Sequence, residues 1–507
     1  MHNYTERRTH KLQLMKTILQ SLCLILNCAC ALFSIAVGQT PPNIVLVLAD
    51  DIGVGDLSFY QKERTDGKIT VKTPNLDRLI NEGIRFSDAH SPASLCAPTR
   101  FSMLTGSYPY RNHQPFGVWL PWSDSGIEPK FTTTARLAKA GGYRTAFFGK
   151  WGLGSVWTNP NPDFTKLDQG ARHFGFDYAC ELPQGIQGEP FIFYENGQWM
   201  PLKPDSVIKQ IDAQQTQYAF ARKHKNLGGA GDSNWDPTLA GEILATKAVD
   251  FIKCHRREHP QSPFFLYYCS QAVHIPHAPP TKLDGVIIKG ATPSKHGDMI
   301  LELDTQIGML RKALEDTGAY ENTLFIFTSD NGGLRWDKEM TDAGHDTSHG
   351  LRAAKGAIYE GGHRVPFIAA WPARIKPGME CHEPIVAMDV VATIATLAGQ
   401  PIDRSVIMDA IDMLPLLTGD TPHQRHHYLL HQSKGDQKNA RYAIREGDWK
   451  LIMQTKGSKN LSSLTPIALF NLRDNRAENE NENLINNPEH AARVKKLMEH
   501  YREVRQL

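Results

Sequence analysis

The sequence predicts an α/β protein: a large, mostly parallel mixed sheet flanked by helices, with a smaller C-terminal subdomain of antiparallel strands plus a helix. Three observations predict it. Short apolar runs alternate with amphipathic stretches along the chain, the pattern of strand and helix units around a mostly parallel sheet. Asn43-Ile44-Val45-Leu46-Val47-Leu48 is almost continuously apolar, as a strand covered on both faces requires. From about His423 the composition shifts, and a strand pair, a polar Asn/Glu-rich stretch and a charged helix close the chain.

Taken in order, the first element is an export signal over residues 1–38. Arg7, Arg8, Lys11 and Lys16 precede an apolar run from about Ile18 to Val37, and Ala36-Val37-Gly38 offers small residues for cleavage. A start at Met15 gives a more compact version of the same signal. A membrane anchor is the other reading, but Gln20, Ser21 and Asn27 interrupt a run that is barely long enough to span. A lipid anchor on Cys28 or Cys30 is a weaker alternative. The expectation is a secreted or periplasmic protein with no stable membrane span after cleavage.

Residues 39–422 are assigned to the sheet domain. A helix is expected over Pro74 to Glu82, with Thr73 as N-cap, Pro74 at the first position and Gly83 beyond the end. A second, about Thr133 to Ala140, ends in Gly141-Gly142 and feeds a strand from Tyr143 to Phe148. From Ser155 to about Asp236, Pro, Gly, Asn and Asp are frequent and periodicity is weak. That predicts long excursions from the sheet of the kind that shape a pocket. Further strands are expected at Pro263 to Tyr268, Leu324 to Phe327 and Val365 to Ala370, with a helix from about Met299 to Glu315 before the second of these. Residues 423–507 are assigned to the C-terminal subdomain. There Tyr442–Arg445 and Trp449–Ile452 pair across the turn Glu446-Gly447-Asp448, and a helix runs from about Pro488 to Val504.

Composition narrows the function classes. A chain of 507 residues that is 41% hydrophobic and 22% charged is ordinary globular protein with ample core. A formal net charge of +2 gives no bulk argument for nucleic acid or a membrane surface, and no nucleic-acid partner is expected. Removing the signal, with Cys23, Cys28 and Cys30, leaves Cys96, Cys180, Cys254, Cys269 and Cys381. An odd count leaves at least one thiol unpaired. Cys96 is the candidate, and pairing of Cys254 with Cys269 stays open.

Two motifs suggest a cation. Asp50 and Asp51 stand at the carboxyl end of the first strand, where open α/β sheets place ligand sites. Adjacent carboxylates with no basic neighbour repel unless a cation sits between them; a turn or helix cap is the alternative. Ser329-Asp330-Asn331-Gly332 repeats that placement after the strand Leu324–Phe327. Alone it is a turn; joined to Asp50 and Asp51 it makes an all-oxygen donor set suited to Ca²⁺ or Mg²⁺.

The decisive segment is Cys96-Ala97-Pro98-Thr99-Arg100, followed by Leu104-Thr105-Gly106. On its own it reads as a low-pKa thiol at the start of a helical turn, or as a buried structural cysteine. It also resembles the signature of the sulfatase family, whose cysteine a maturation enzyme oxidises to Cα-formylglycine. Gly149-Lys150-Trp151-Gly152-Leu153-Gly154, Val273-His274-Ile275-Pro276-His277 and Lys355-Gly356 with Tyr359 to Pro366 are similar to later blocks of that family, in order. Ala443 to Leu451 and Leu469-Phe470-Asn471-Leu472 are similar to its C-terminal landmarks. The likeness runs from about Pro42 to the end, with the middle excursion unmatched.

The resemblance implies hydrolysis of sulfate monoesters, on sulfated carbohydrate as the expected substrate. It implies one Ca²⁺ held by Asp50, Asp51, Asp330 and Asn331 together with formylglycine at Cys96, and a formylglycine-generating enzyme as partner. It implies that Arg100 holds the diol, that Lys150 and Lys355 clamp sulfate oxygens, and that His274 is the general acid. Gly152 departs from the pattern, which carries histidine there; His277, His113 or His349 are the candidates to fill that space. Trp119, Trp122 and Trp157 could stack on sugar faces, or be ordinary partly buried tryptophans. Three rivals remain: a phosphonate or phosphate ester hydrolase of the same superfamily, a silent sulfated-glycan binder motivated by Gly152, and a hydrolase using the Cys96 thiol directly.

Overall fold

Seven consecutive buried residues, Asn43–Ala49, form the central strand of the computed structural model, which describes residues 40–507 apart from 65, 124, 155, 158–160, 218–227, 435–439, 456, 458 and 459. The expected export signal, with Cys23, Cys28 and Cys30, lies outside the described residues. Ten strands make the main sheet: β1 (Asn43–Ala49), β2 (Ile84–Phe86), β3 (Arg144–Lys150), β4 (Tyr178–Ile186), β5 (Tyr194–Glu195), β6 (Gln198–Trp199), β7 (Phe264–Cys269), β8 (Thr323–Ser329), β9 (Phe367–Ala370) and β10 (Met379–Cys381). Their spatial order is β10-β2-β9-β8-β1-β7-β3-β4-β5-β6. The centre, β8-β1-β7-β3-β4, is parallel throughout. Antiparallel strands β9 and β5 begin the two margins.

The alternation within β1 explains its composition. Ile44, Leu46 and Leu48 enter one core cluster, and Val45, Val47 and Ala49 enter another on the opposite face of the sheet. Both faces are dry, so no position tolerates a charge; each large side chain so buried is worth roughly 1.5–3 kcal/mol.

The helices that matter for the site are α1 (Pro74–Glu82), α2 (Cys96–Thr105), α3 (Thr134–Ala140), α4 (Ala240–Glu258) and α5 (Lys295–Asp316). Thr133 caps α3 by accepting from Arg136 N. Thr73 occupies the N-cap position of α1 without capping it, because its Oγ1 accepts from Ser58 N at 2.8 Å instead. Gly83 ends α1 in an extended rather than left-handed conformation. Close approach demands the glycine, since a Cβ would lie 2.0 Å from the Ala369 carbonyl oxygen. Helix α5 begins a turn earlier than its apolar periodicity indicates, because Ser294 caps His296 N and Gly297 N.

One expectation needs correcting. The stretch from Ser155 to Asp236 is not only excursion: β4, β5 and β6 come from it and extend the sheet beyond β3. Its weak periodicity reflects burial of β4, where Ala179 to Ile186 are all buried, including Glu181 and Gln184. Polar residues there are held by hydrogen bonds: Glu181 accepts from Ala171 N, and Gln184 Nε2 donates to Trp119 O.

After the main sheet, β11 (Leu429–Gln432), β12 (Arg441–Glu446), β13 (Trp449–Thr455) and β14 (Leu464–Asn471) form an antiparallel sheet, followed by α6 (Ala491–Arg505). Tyr442, Ile444, Leu451 and the α6 residues Leu497 and Tyr501 belong to the same core cluster as one face of the main sheet. Residues 42–507 accordingly form one compact unit. Among the described residues no helix is long and apolar enough to cross a membrane.

Candidate active site

The parallel strands deliver the residues in question from their carboxyl ends, the edge where open α/β sheets bind ligands. Asp50 and Asp51 follow β1, Lys150 ends β3, His274 follows β7, and Asp330 and Asn331 follow β8. Cys96 is the first residue of α2, and Arg100 lies one turn further along it. Asp51 adopts a left-handed φ of 70°, a conformation costing a non-glycine residue on the order of 1–3 kcal/mol. The turn is held by Ile52 N donating to Ser329 Oγ at 2.9 Å and by Asp51 N donating to Asp330 Oδ1 at 3.2 Å.

Buried ion pairs knit these residues together. Lys150 Nζ donates to Asp50 Oδ2 at 2.7 Å, and Lys355 Nζ to Asp51 Oδ2 at 2.7 Å. Arg100 donates from Nε and Nη2 to Asp330 Oδ2 at 3.1 and 2.8 Å, and from Nη1 to the Lys150 carbonyl at 3.1 Å. Asn331 Nδ2 donates to Asp51 Oδ1 at 2.8 Å. The adjacent carboxylates thus do have basic neighbours, brought from positions 150 and 355. The sequence argument that they lacked them holds along the chain and fails in space.

Cys96 is buried. None of Cys96, Cys180, Cys254, Cys269 and Cys381 is in a disulfide; Cys254 is exposed while Cys269 is buried.

The charges polarise the site strongly. Burial works to raise the Asp50 carboxyl, but Lys150, His274, Arg100 and Lys355 outweigh it and hold it far below the usual carboxylate range. Burial and the Asp50 charge push Asp330 up to about 7, against Arg100. Burial and then Lys355 bring His274 down to about 4. His274 Nδ1 meets the Ile275 carbonyl at 2.7 Å, so Nδ1 carries the proton and Nε2 keeps its lone pair, 3.9 Å from Asp51 Oδ2.

Two buried oxygens, Asp50 Oδ1 and Asn331 Oδ1, have no hydrogen-bond partner. Orphaned buried acceptors are costly, and hard oxygen donors aimed into one acidic pocket fit a divalent cation such as Ca²⁺. The ligating atoms of Asp50, Asp51 and His274 lie within 4.8 Å of one another, so His274 stands with the acids.

Gly152 has a left-handed φ of 67°, and a Cβ there would lie 3.4 Å from Arg100 Cδ and from Lys150 Cε. Its nearest neighbours are thus Arg100 and Lys150, not a substitute histidine. His277 stacks on His296, His113 is near Glu128 at the surface, and His349 packs on Tyr60. Of the three tryptophans considered for sugar stacking, Trp119 and Trp157 are core residues and Trp122 is exposed. Residues the sequence did not single out include Ser329, which shapes the acidic turn, and Cys269, whose thiol burial pushes up to about 12 beside Arg100. Ser329 stood inside a quoted motif; Cys269 enters the sequence reading only as a possible disulfide partner of Cys254.

The family model for Sulfatase matches residues 42–400, and that for N-sulphoglucosamine sulphohydrolase, C-terminal, matches residues 348–507. N-acetylgalactosamine-6-O-sulfatase of Bacteroides thetaiotaomicron is 32% identical over 441 residues, covering 81% of this chain and 82% of the relative. Arylsulfatase A of Homo sapiens is 34% identical over 461 residues, covering 87% and 83%. A solved structure from work on metabolism of multiple glycosaminoglycans by Bacteroides thetaiotaomicron superposes with a TM-score of 0.77 at 28% identity, over 92% of this chain and all of that one. The phosphonate monoester hydrolase of Silicibacter pomeroyi shares the fold alone, at a TM-score of 0.61 and 18% identity over 92% of this chain and 95% of that one.

Proposed function

The chain belongs to the sulfatase family and is a sulfuric ester hydrolase; from that premise we propose that it desulfates carbohydrate, using formylglycine made from Cys96 and one Ca²⁺. The observation that carries this reading is the pair of orphaned acceptors, Asp50 Oδ1 and Asn331 Oδ1, in the same buried pocket as Arg100, Lys150 and Lys355. We read residues 39–422 as the catalytic domain and 423–507 as a C-terminal subdomain, after a signal over 1–38. Export and a maturation enzyme are part of the same proposal.

Asp50, Asp51, Asp330 and Asn331, with residue 96, would hold Ca²⁺, which would supply Lewis-acid polarisation of a sulfate oxygen. Formylglycine at 96, as its hydrate, supplies one hydroxyl to attack sulfur and a second to expel sulfate afterwards. Arg100 orients residue 96 from one turn along the helix. Lys150 and Lys355 present their ammonium groups to the sulfate oxygens as charge develops. His274 Nε2 faces the leaving alcohol. Sulfate bound beside Lys150 and Lys355 places negative charge near the ring and favours its protonated form, which is what a general acid needs.

The test is peptide mass spectrometry across residue 96 on protein co-expressed with a formylglycine-generating enzyme, with sulfate release measured on the same sample. Loss of H₂S with gain of one oxygen at Cys96, and release that stops with a calcium chelator, is the expected result. Conversion with no release from any sulfate ester would favour the phosphonate-hydrolase or silent-binder alternatives, and an unmodified thiol would remove the nucleophile.

A further inference from the structure

Three histidines far apart in sequence meet where the C-terminal sheet packs on the main domain. His90 ends the short strand Ala89–His90, His363 ends the helical turn Glu360–His363, and His431 lies in β11. None of the three is more than 2% exposed. One ring nitrogen from each lies within 4.8 Å of the other two. This group is separate from that of Asp50, Asp51 and His274.

Hydrogen bonding leaves a defined set of nitrogens available. His90 Nε2 donates to Asp88 Oδ1 at 2.7 Å, with Arg445 Nη1 at 3.2 Å beside it, so His90 Nδ1 keeps its lone pair. That Nδ1 stands 3.0 Å from His363 Nδ1. Two nitrogens held at about 2.0–2.1 Å by one tetrahedral ion stand roughly 3.3 Å apart, so the pair is close to the spacing of two ligands. His363 has a partner for either tautomer. Lys450 Nζ, 3.0 Å from Nε2, donates to it when Nδ1 carries the proton; the Ile358 carbonyl, 3.1 Å from Nε2, accepts from it when Nδ1 does not. Both nitrogens of His431 are buried with no hydrogen-bond partner. A neutral imidazole has one donor and one acceptor, and leaving both unmade in a dry site is costly. The His431 ring stacks on His363 with centroids 3.8 Å apart, and no hydrogen bond opposes its turning a nitrogen toward the other two. The neighbouring cations are themselves paired, Arg364 and Arg445 with Asp88, and Lys450 with Glu360 and Glu478.

We propose that His90, His363 and His431 form a second metal site, for Zn²⁺, that ties β11 to the main domain. Imidazole nitrogens suit zinc, whereas calcium takes oxygen donors, so the two sites select different ions. The Asp88 carboxylate on His90 is the outer partner that fixes the tautomer of a metal-bound histidine and raises its basicity, and the Ile358 carbonyl serves His363 in the same way. Three protein ligands leave the fourth position of a tetrahedral ion to water. The role is a cross-link between strands brought from positions 90, 363 and 431, and it does not depend on the sulfatase reading.

The experiment uses full-length protein stripped with a chelator, returned to excess Ca²⁺ and titrated with Zn²⁺. Bound zinc is counted by atomic emission after gel filtration, and melting temperature is followed by calorimetry. The parent is expected to retain about one zinc ion per chain and to melt at a higher temperature with it. His431→Phe, which keeps the stacked ring and removes its nitrogens, should lose that zinc while calcium still raises its melting temperature. Asp88→Asn should weaken zinc binding by about tenfold or more. Co²⁺ in the parent gives a reading independent of any variant: tetrahedral absorption without a thiolate charge-transfer band is expected. A parent that retains no zinc, a His431→Phe variant that binds zinc as the parent does, or a thiolate band with cobalt would each overturn the assignment.

Discussion

Asp50 and Asp51 are chain neighbours with separate electrostatic lives. Asp50 faces Lys150 and Arg100, while Asp51 faces Lys355 and Asn331. The three acids 50, 51 and 330 are each paired with one of the cations 150, 355 and 100. Removing one cation breaks a pair. Lys150→Ala leaves Asp50 in a dry site with only Arg100 at 3.6 Å, and losing a buried ionic partner costs up to about 3–5 kcal/mol. The variant is expected to lose about 10²–10³ in kcat, as when one transition-state donor is removed. Calcium should also raise its melting temperature more than that of the parent, because a ligand that binds only the folded state stabilises it by mass action. Calorimetry with and without calcium checks this; equal shifts would mean that Lys150 and the ion do not share Asp50. Arg100 and Asp330 were readable as site residues from their motifs, but not as each other's partners, since 230 positions separate them.

Helix α5 lies behind the loop that carries His274 and connects to it through polar side chains. Gln306 Oε1 accepts from Ser270 Oγ at 2.9 Å and Tyr268 OH at 3.0 Å, and Glu302 Oε1 accepts from Gln271 Nε2 at 3.1 Å. Ser270 Oγ in turn accepts from Ala272 N, whose carbonyl accepts from Asp50 N. Burial raises the Glu302 carboxyl to about 8 against the pull of Gln271 and Gln306. A folded value above the ordinary 4.5 means that the native state keeps a proton the unfolded chain sheds. The Glu302 contribution to stability is therefore full below pH 4.5 and falls as pH rises toward about 8, at up to about 1.4 kcal/mol per pH unit. Glu302→Gln should flatten that slope. Urea midpoints at pH 5 and pH 8 measure it, and a parallel decline in both proteins would refute the assignment to Glu302. The periodicity of α5 was legible in the sequence; its inward polar face was not, because Glu and Gln on a helix read as solvated until burial is known.

At the scale of the molecule, the C-terminal sheet is joined to the main one by charge as well as by shared core. Arg445 Nη2 pairs with Asp88 at 2.7 Å, and Lys450 Nζ with Glu360 and Glu478 at 2.9 Å each. His90, His363 and His431 are buried together at this joint, with His90 Nε2 donating to Asp88 at 2.7 Å and the rings of His363 and His431 stacked at 3.8 Å. Lys450 Nζ donates to His363 Nε2 at 3.0 Å. Burial, opposed by Glu360 and Asp88, lowers His90 from 6.5 to about 4. The unfolded chain thus takes up its proton first as pH falls. His90's contribution is intact above pH 6.5 and is lost down to about 4, on the order of 1.4 kcal/mol per unit. Hydrogen exchange should show protection in β12 and β13 declining across that window. Protection independent of pH between 6.5 and 4 would argue against a neutral histidine joint.

The sequence by itself determined the local elements and motifs: the run at 43–48, the helices beginning at 74 and 134, the acids after β1 and β8, and the Cys96 to Arg100 segment. These are local signals, since a strand's composition, a cap or a motif spans a few residues and leaves its mark there. Only the tertiary structure decided that β4 to β6 extend the sheet, that Lys150 and Lys355 pair with Asp50 and Asp51, and that Trp119 and Trp157 are core. Burial and charge pairing depend on what folds against a residue from far along the chain, and no window of neighbouring positions contains that information.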